Sequence, residues 1–237
     1  MLALKAWHFT HTLEWKGSTW LQYVLNSIHN RAPDGSRCPP CPPVNRNMLL
    51  QLVSNLNLNL PLDVAIAACT VTAFCGQCHL GELLPFSSAP SLLATLPMQA
   101  NVKRSLCNSG LCILHLPQTK THHYRQDIAL VDQQCPINPI HLLKKHLQTN
   151  SVPSNTHIFA YASVNGLVSL TKSLFLQRCN TIWQQLQYPC TTNHCFHIRG
   201  TTELLITDTL PDIVKATGCW SSEPFLCYWH SLDDIAP

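Results

Sequence analysis

The chain has 237 residues, 46% of them apolar, enough to bury a full core in one large domain or two small ones. Lys and Arg total 15 against 12 acidic residues, a formal +3, which is a weak charge for a nucleic-acid binder. No long apolar run suited to a membrane span occurs, and Met1 to His8 lacks the zones of a signal peptide, so a soluble, intracellular protein is expected.

Residues 1–32 carry Trp20, Leu21, Val24, Leu25 and Ile28 at helical spacing and read as the last part of a helical domain. Residues 33–45 follow as a linker, because the run Cys38-Pro39-Pro40-Cys41-Pro42-Pro43 cannot be helical. From Asn45 the pattern becomes compact. Met48 to Leu56 suits a short helix, and Asp63 can cap an almost wholly apolar helix from Val64 to about Phe74, which reads as central core. Gly110 to Leu116 and Asp127 to Val131 are β-like runs that form a hairpin around Pro117 to Thr121. Asn138 followed by Pro139 opens a helix with Ile140, Leu143 and Leu147 on one face.

Ser169 or Thr171 caps the next helix, which carries Leu174, Ile182 and Leu186. Further helices are expected from His197 to about Thr207, from Pro211 to Gly218, and from Ser221 or Ser222 through Phe225, Tyr228, Trp229 and Leu232. The fold class is therefore mainly α with a small antiparallel sheet, an α+β domain over residues 46–237.

Thirteen cysteines and 13 histidines need a separate account, since an intracellular chain uses thiols or metal ligands before disulfides. Cys38-Pro-Pro-Cys41, Cys75-Gly-Gln-Cys78 with His79, and His194-Cys-Phe-His197 mimic metal-ligand spacing. No second well-spaced pair follows any of them at zinc-finger distance, so no metal is expected. A Cys/His-rich module that binds DNA or metal without chemistry is the alternative reading.

Four segments, in order, carry a resemblance. Gly76-Gln77-Cys78-His79-Leu80-Gly81-Glu82-Leu83-Leu84-Pro85 comes first, and Leu116-Pro117-Gln118-Thr119-Lys120-Thr121 second. Asn193-His194-Cys195-Phe196-His197-Ile198-Arg199-Gly200 is the third. The fourth runs from Gly218-Cys219-Trp220 to Phe225-Leu226-Cys227-Tyr228-Trp229, with Trp220 26 residues after His194 and 8 before Tyr228. Together they resemble the boxes of the tyrosine recombinases, DNA breaking-rejoining enzymes, in the branch found in fungal mobile elements. That family has Arg-x-Gly-Glu-Leu, a hairpin lysine, His-x-x-Arg, a later His or Trp, and a tyrosine.

The resemblance implies a catalytic domain with Tyr228 as nucleophile, Lys120 as general acid, and His194 and Trp220 positioning the phosphate. Cys219 lies one residue from Trp220 and competes with it for the third position, while Glu82 supports the first box. It implies double-stranded DNA as partner, a homotetramer on DNA, no cofactor, no membrane, and a nuclear location. Residues 1–32 would be the C-terminal remnant of a helical core-binding domain.

The sequence departs from the family pattern where charge matters most. His79 stands at the first-box arginine position and His197 at the arginine of His-x-x-Arg. Cys38, Cys41, Gln118, Cys219, Cys227 and His230 stand where basic residues are usual, and Arg199 where glycine is. Each change is one that cytosine deamination of an arginine or glycine codon produces. The pattern therefore implies an impaired copy of such an enzyme.

Overall fold

The computed structural model describes residues 2–33, 36, 44–87, 93–104, 110–119, 126–193 and 195–196. The chain divides into two compact units, Met1–Pro40 and Cys41–Pro237. In the first, α1 (Leu2–Thr10) and α2 (Thr19–Arg31) bury no side chain among those described. Trp20 is 76% exposed and Ile28 62%, although their spacing draws an apolar stripe along α2.

The second unit is organised around α4 (Pro61–Cys75), whose residues from Asp63 to Phe74 are all buried. No side of this helix offers a polar face, so it is stable only if neighbours cover it all round. α3 (Arg46–Asn55), the short α5 (Leu80–Leu83), α6 (Pro139–Thr149) and the strand β4 (Ala160–Ser163) do so. α7 (Lys172–Gln185) packs on α3, where the Trp183 indole Nε1–H donates to the Met48 carbonyl at 3.1 Å. One continuous apolar cluster joins these helices to the sheet.

Local signals set several boundaries. Asn45 caps α3 by accepting from the Met48 amide at 2.8 Å, and Asn138 caps α6 through the Ile140 and His141 amides. Thr171, not Ser169, caps α7. Asp63, expected as the cap of α4, has a different role. The cap position is Leu60, with Pro61 opening the helix, and Asp63 sits inside the first turn. Its carboxylate accepts from Arg178 Nε at 3.0 Å and Nη2 at 2.8 Å, and from the Asn57 amide at 3.0 Å. Burial alone would push this carboxyl up, but the two-pronged guanidinium and the Asn57 amide outweigh it and hold the group below its ordinary value. The pair ties the start of α4 to the middle of α7.

The sheet is antiparallel in the order β1 (Val102–Arg104), β2 (Leu111–Leu116), β3 (Gln126–Val131). Cys112 faces Leu130 and Leu114 faces Ile128 across the β2–β3 ladder, and all four are buried, so register follows from burying one face. β1 was not evident in the sequence. A second hairpin, β4 with β5 (Gly166–Ser169), was not expected either. It turns through Val164 and Asn165 into Gly166, whose φ of +104° only glycine adopts easily. The Asn165-Gly166 pair is a hairpin signal that the sequence did contain. The helices expected beyond His197 lie outside the described residues.

Two histidines belong to the core rather than to any site. His146 is fully buried on α6; its Nε2–H donates to the Ile158 carbonyl at 2.8 Å, and its Nδ1 accepts from Asn150 Nδ2 at 2.9 Å. Asn150 also donates to the Pro61 carbonyl and accepts from the Ala162 amide, so this network joins α6, α4 and β4. His157 donates to the Leu83 carbonyl at 2.7 Å. Burial lowers both imidazoles, His146 to about 4.

Two outcomes follow. Protonating His146 would place a hydrogen on Nδ1 facing the Asn150 amide donor. Its neutral form therefore contributes stability that is complete above pH 6.5 and is lost as pH falls toward 4, on the order of 3 kcal/mol. Urea unfolding across that window should show the loss, with a flatter slope for His146→Gln. Asp63→Ala should cost about 2 kcal/mol, between the values for exposed and fully buried pairs, because Arg178 can turn toward solvent. Asp63→Asn, which keeps one acceptor, should cost less in the same measurement.

Candidate functional site

The first box is presented by the way α4 ends. At Gly76 a Cβ would come within 2.6 Å of Ile128 Cγ2 and 2.8 Å of the Thr72 carbonyl oxygen, so only glycine lets the helix stop against the sheet. Gln77 follows at φ +50°, reversing the chain, and Cys78 is buried beneath it. His79 then adopts extended backbone at the start of α5. Its amide donates to the Glu82 carboxylate at 2.9 Å, and the Glu82 amide donates back to the His79 carbonyl at 2.9 Å. Leu80, Leu83 and Leu84 are buried and pin this turn in the core, which leaves His79 and Glu82 half-buried at its edge. Glu82 thus fixes the backbone that carries His79.

The second segment leaves β2. His115 and Asp127 oppose each other across the β2–β3 ladder, and the His115 Nδ1 is bonded to the Asp127 carboxylate. Beyond this pair the chain runs through Gln118 to Thr119, which is buried. The third segment is anchored from its far side. Cys195 and Phe196 are buried, the Val44 amide donates to the Cys195 carbonyl at 3.1 Å, and the Phe196 ring packs 5.3 Å from that of Phe175 and 5.9 Å from that of Trp183.

These three segments meet. A cavity of about 450 Å³ is lined by His79, Gly81 and Glu82, by Gln118 and Thr119, by Asn193, and by Thr95 and Leu96. Thr95 and Leu96 have no motif around them and are not recognisable as cavity residues before folding. Lys120, His194, His197, Cys219, Trp220 and Tyr228 lie outside the described residues; Lys120 follows Thr119 and His194 follows Asn193 in the chain. Among the described residues no three His, Cys, Asp or Glu side chains are gathered to hold a metal ion, Cys75, Cys78 and His79 included. Cys69 and Cys179 act as small apolar core residues, and burial raises both thiols, Cys69 also by the charge of neighbouring thiols. No described helix is long and apolar enough to cross a membrane.

No family model matches the chain, and no curated protein matches it. Solved structures do. The XerH site-specific recombinase bound to its palindromic difH substrate, in a post-cleavage complex, superposes with TM-score 0.58 at 12% identity over 85% of this chain and 52% of that one. XerA recombinase matches with TM-score 0.50 at 12% identity, over 94% of this chain and 72% of that one. A Flpe–Holliday junction complex gives 0.50 at 11%, over 93% and 52%. The chain spans about half the length of the XerH protein it matches. The expected α+β class holds, and the fold matches that of the tyrosine recombinase catalytic domain.

The role found for Glu82 sets an expected outcome. Glu82→Ala removes an ionised acceptor from the His79 amide and should cost about 1 kcal/mol in urea unfolding, while Glu82→Gln should lose less.

Proposed function

We propose that the chain is a DNA breaking-rejoining protein of the tyrosine recombinase type, of the fungal mobile-element branch, and that its catalytic power is reduced. The observation that supports this most is the shared cavity: residues of the first box, of the hairpin segment and of the second box line one space in a recombinase fold. Separate boxes serve a single phosphate only if the fold brings them together.

In this reading the Tyr228 hydroxyl oxygen, its proton passing to solvent, attacks the phosphorus of a DNA phosphodiester. A 3′-phosphotyrosyl bond forms, the bond to the 5′ oxygen breaks, and Lys120 gives that oxygen a proton, leaving a free 5′-hydroxyl. His194 and Trp220 position the phosphate, with Cys219 beside Trp220. Bond energy is kept in the phosphotyrosine, so the scheme uses no cofactor. His79 and His197 occupy the places of two arginine clamps. A guanidinium stays charged and grips two phosphate oxygens at once, whereas an unperturbed imidazole titrates near 6.5 and offers no fork. Residues 1–32 would be the end of a core-binding domain, and DNA-bound tetramers in the nucleus would be the working form. Decay of arginine codons by cytosine deamination accounts for the replaced residues.

A nicked suicide substrate that traps the covalent adduct tests this. The native chain should form adduct slowly. His79→Arg and His197→Arg together should raise the rate at pH 7.5 by about 10³-fold or more, with each single change giving less than its share. Tyr228→Phe should abolish adduct in every background. Native activity equal to that of the double variant would remove the case for impairment, and absence of adduct from all variants would remove the case for catalysis.

A further inference from the structure

Gly81 stands at the lip of the cavity, exposed, within the turn that carries His79 and Glu82. Glycine inside a helical turn costs up to about 1 kcal/mol relative to alanine. Nothing among the described residues requires it. Among them, a Cβ added there would meet only one group within 4 Å, the Lys172 ammonium at 3.7 Å, an ordinary contact. The glycine therefore keeps clear a space that the described residues do not fill.

Lys172 gains only a cation–π contact with the exposed Phe86 ring. It is the first residue of α7, where the helix dipole presents its positive end, and a cation there is unfavourable by several tenths of a kcal/mol. Its amide donates to the Pro85 carbonyl at 3.0 Å, which ties the start of α7 to the segment following α5. Its Nζ lies 5.9 Å from the Phe86 ring centroid and within 4 Å of no carboxylate among the described residues. A half-buried lysine stem is thus held with its ammonium beside an open glycine, in a protein with few cations.

We infer that Gly81 and Lys172 form the seat for one backbone phosphate of bound DNA, the glycine admitting the phosphate and Lys172 supplying its charge. This rests on the reading that the cavity receives DNA. Lys172 is a positioning residue in this scheme: its compact ammonium holds the strand at the margin, whereas His79 faces the cavity itself.

Fluorescence anisotropy with a labelled duplex of mixed sequence, titrated with the full chain over a range of salt, tests the seat. Lys172→Gln should weaken binding roughly tenfold at 0.1 M salt and reduce the slope of log K against log salt by about 0.9, the signature of one lost phosphate contact. Lys172→Arg should restore both. Gly81→Ala should keep or raise unfolding stability while weakening binding, a split that a structural role would not produce. Native binding with unchanged affinity and slope in Lys172→Gln overturns the seat and leaves the proposed function standing. Failure of the native chain to bind duplex DNA overturns both.

Discussion

The fold rests on the need to cover α4. From Asp63 to Phe74 this helix is buried throughout, so the described elements around it are placed by having to shield it or to shield what shields it. Its two ends carry the constraint outward. At the start, burial of Asp63 demands a cation, and Arg178 answers from α7. At the finish, close packing against Ile128 demands a glycine at 76, and the reversal that follows delivers His79 and Glu82 to the cavity edge. The core helix therefore decides both where α7 lies and where the first box points.

The histidines separate by environment rather than by number. His146 is neutral by burial and has both ring nitrogens matched, so it works as a polar rivet between α6, α4 and β4. His157 fastens the end of α5 through the Leu83 carbonyl, and His115 pairs with Asp127 at the base of the hairpin. Burial favours the neutral form of His146 and His157, a form a guanidinium does not adopt. His79 differs: it is half-buried on the lip of a cavity. A surplus of histidine thus has at least two origins, one structural and one tied to the cavity.

Charge is rationed in the same way. Arg178 is paired with Asp63, so its charge supports architecture. With few cations in the chain, the position of each free one matters more to an anionic partner than the net +3 does. Lys172 stands out because the fold holds it where a helix by itself would disfavour it.

What the sequence by itself determined was whatever depends on near neighbours. Asn138-Pro139 and Thr171 mark helix starts because a cap needs only amides two or three residues on, and the almost wholly apolar run from Val64 to Phe74 marks a core helix because it is too long for a buried strand. The β2–β3 hairpin was legible from its alternation, and Asn165-Gly166 could have exposed β4–β5; β1, three residues long, has no period to detect. The order of the four motifs pointed to the recombinase fold. Tertiary structure alone decided that Asp63 is an ion-pair partner rather than a cap, since Arg178 lies 115 residues away and nothing local announces it. It alone brought Gln118, Thr119, Asn193 and His79 around one space, and set the Lys172 ammonium beside Gly81. Such contacts arise from burying α4 on all sides, a condition that involves the whole chain and leaves no mark at any single position.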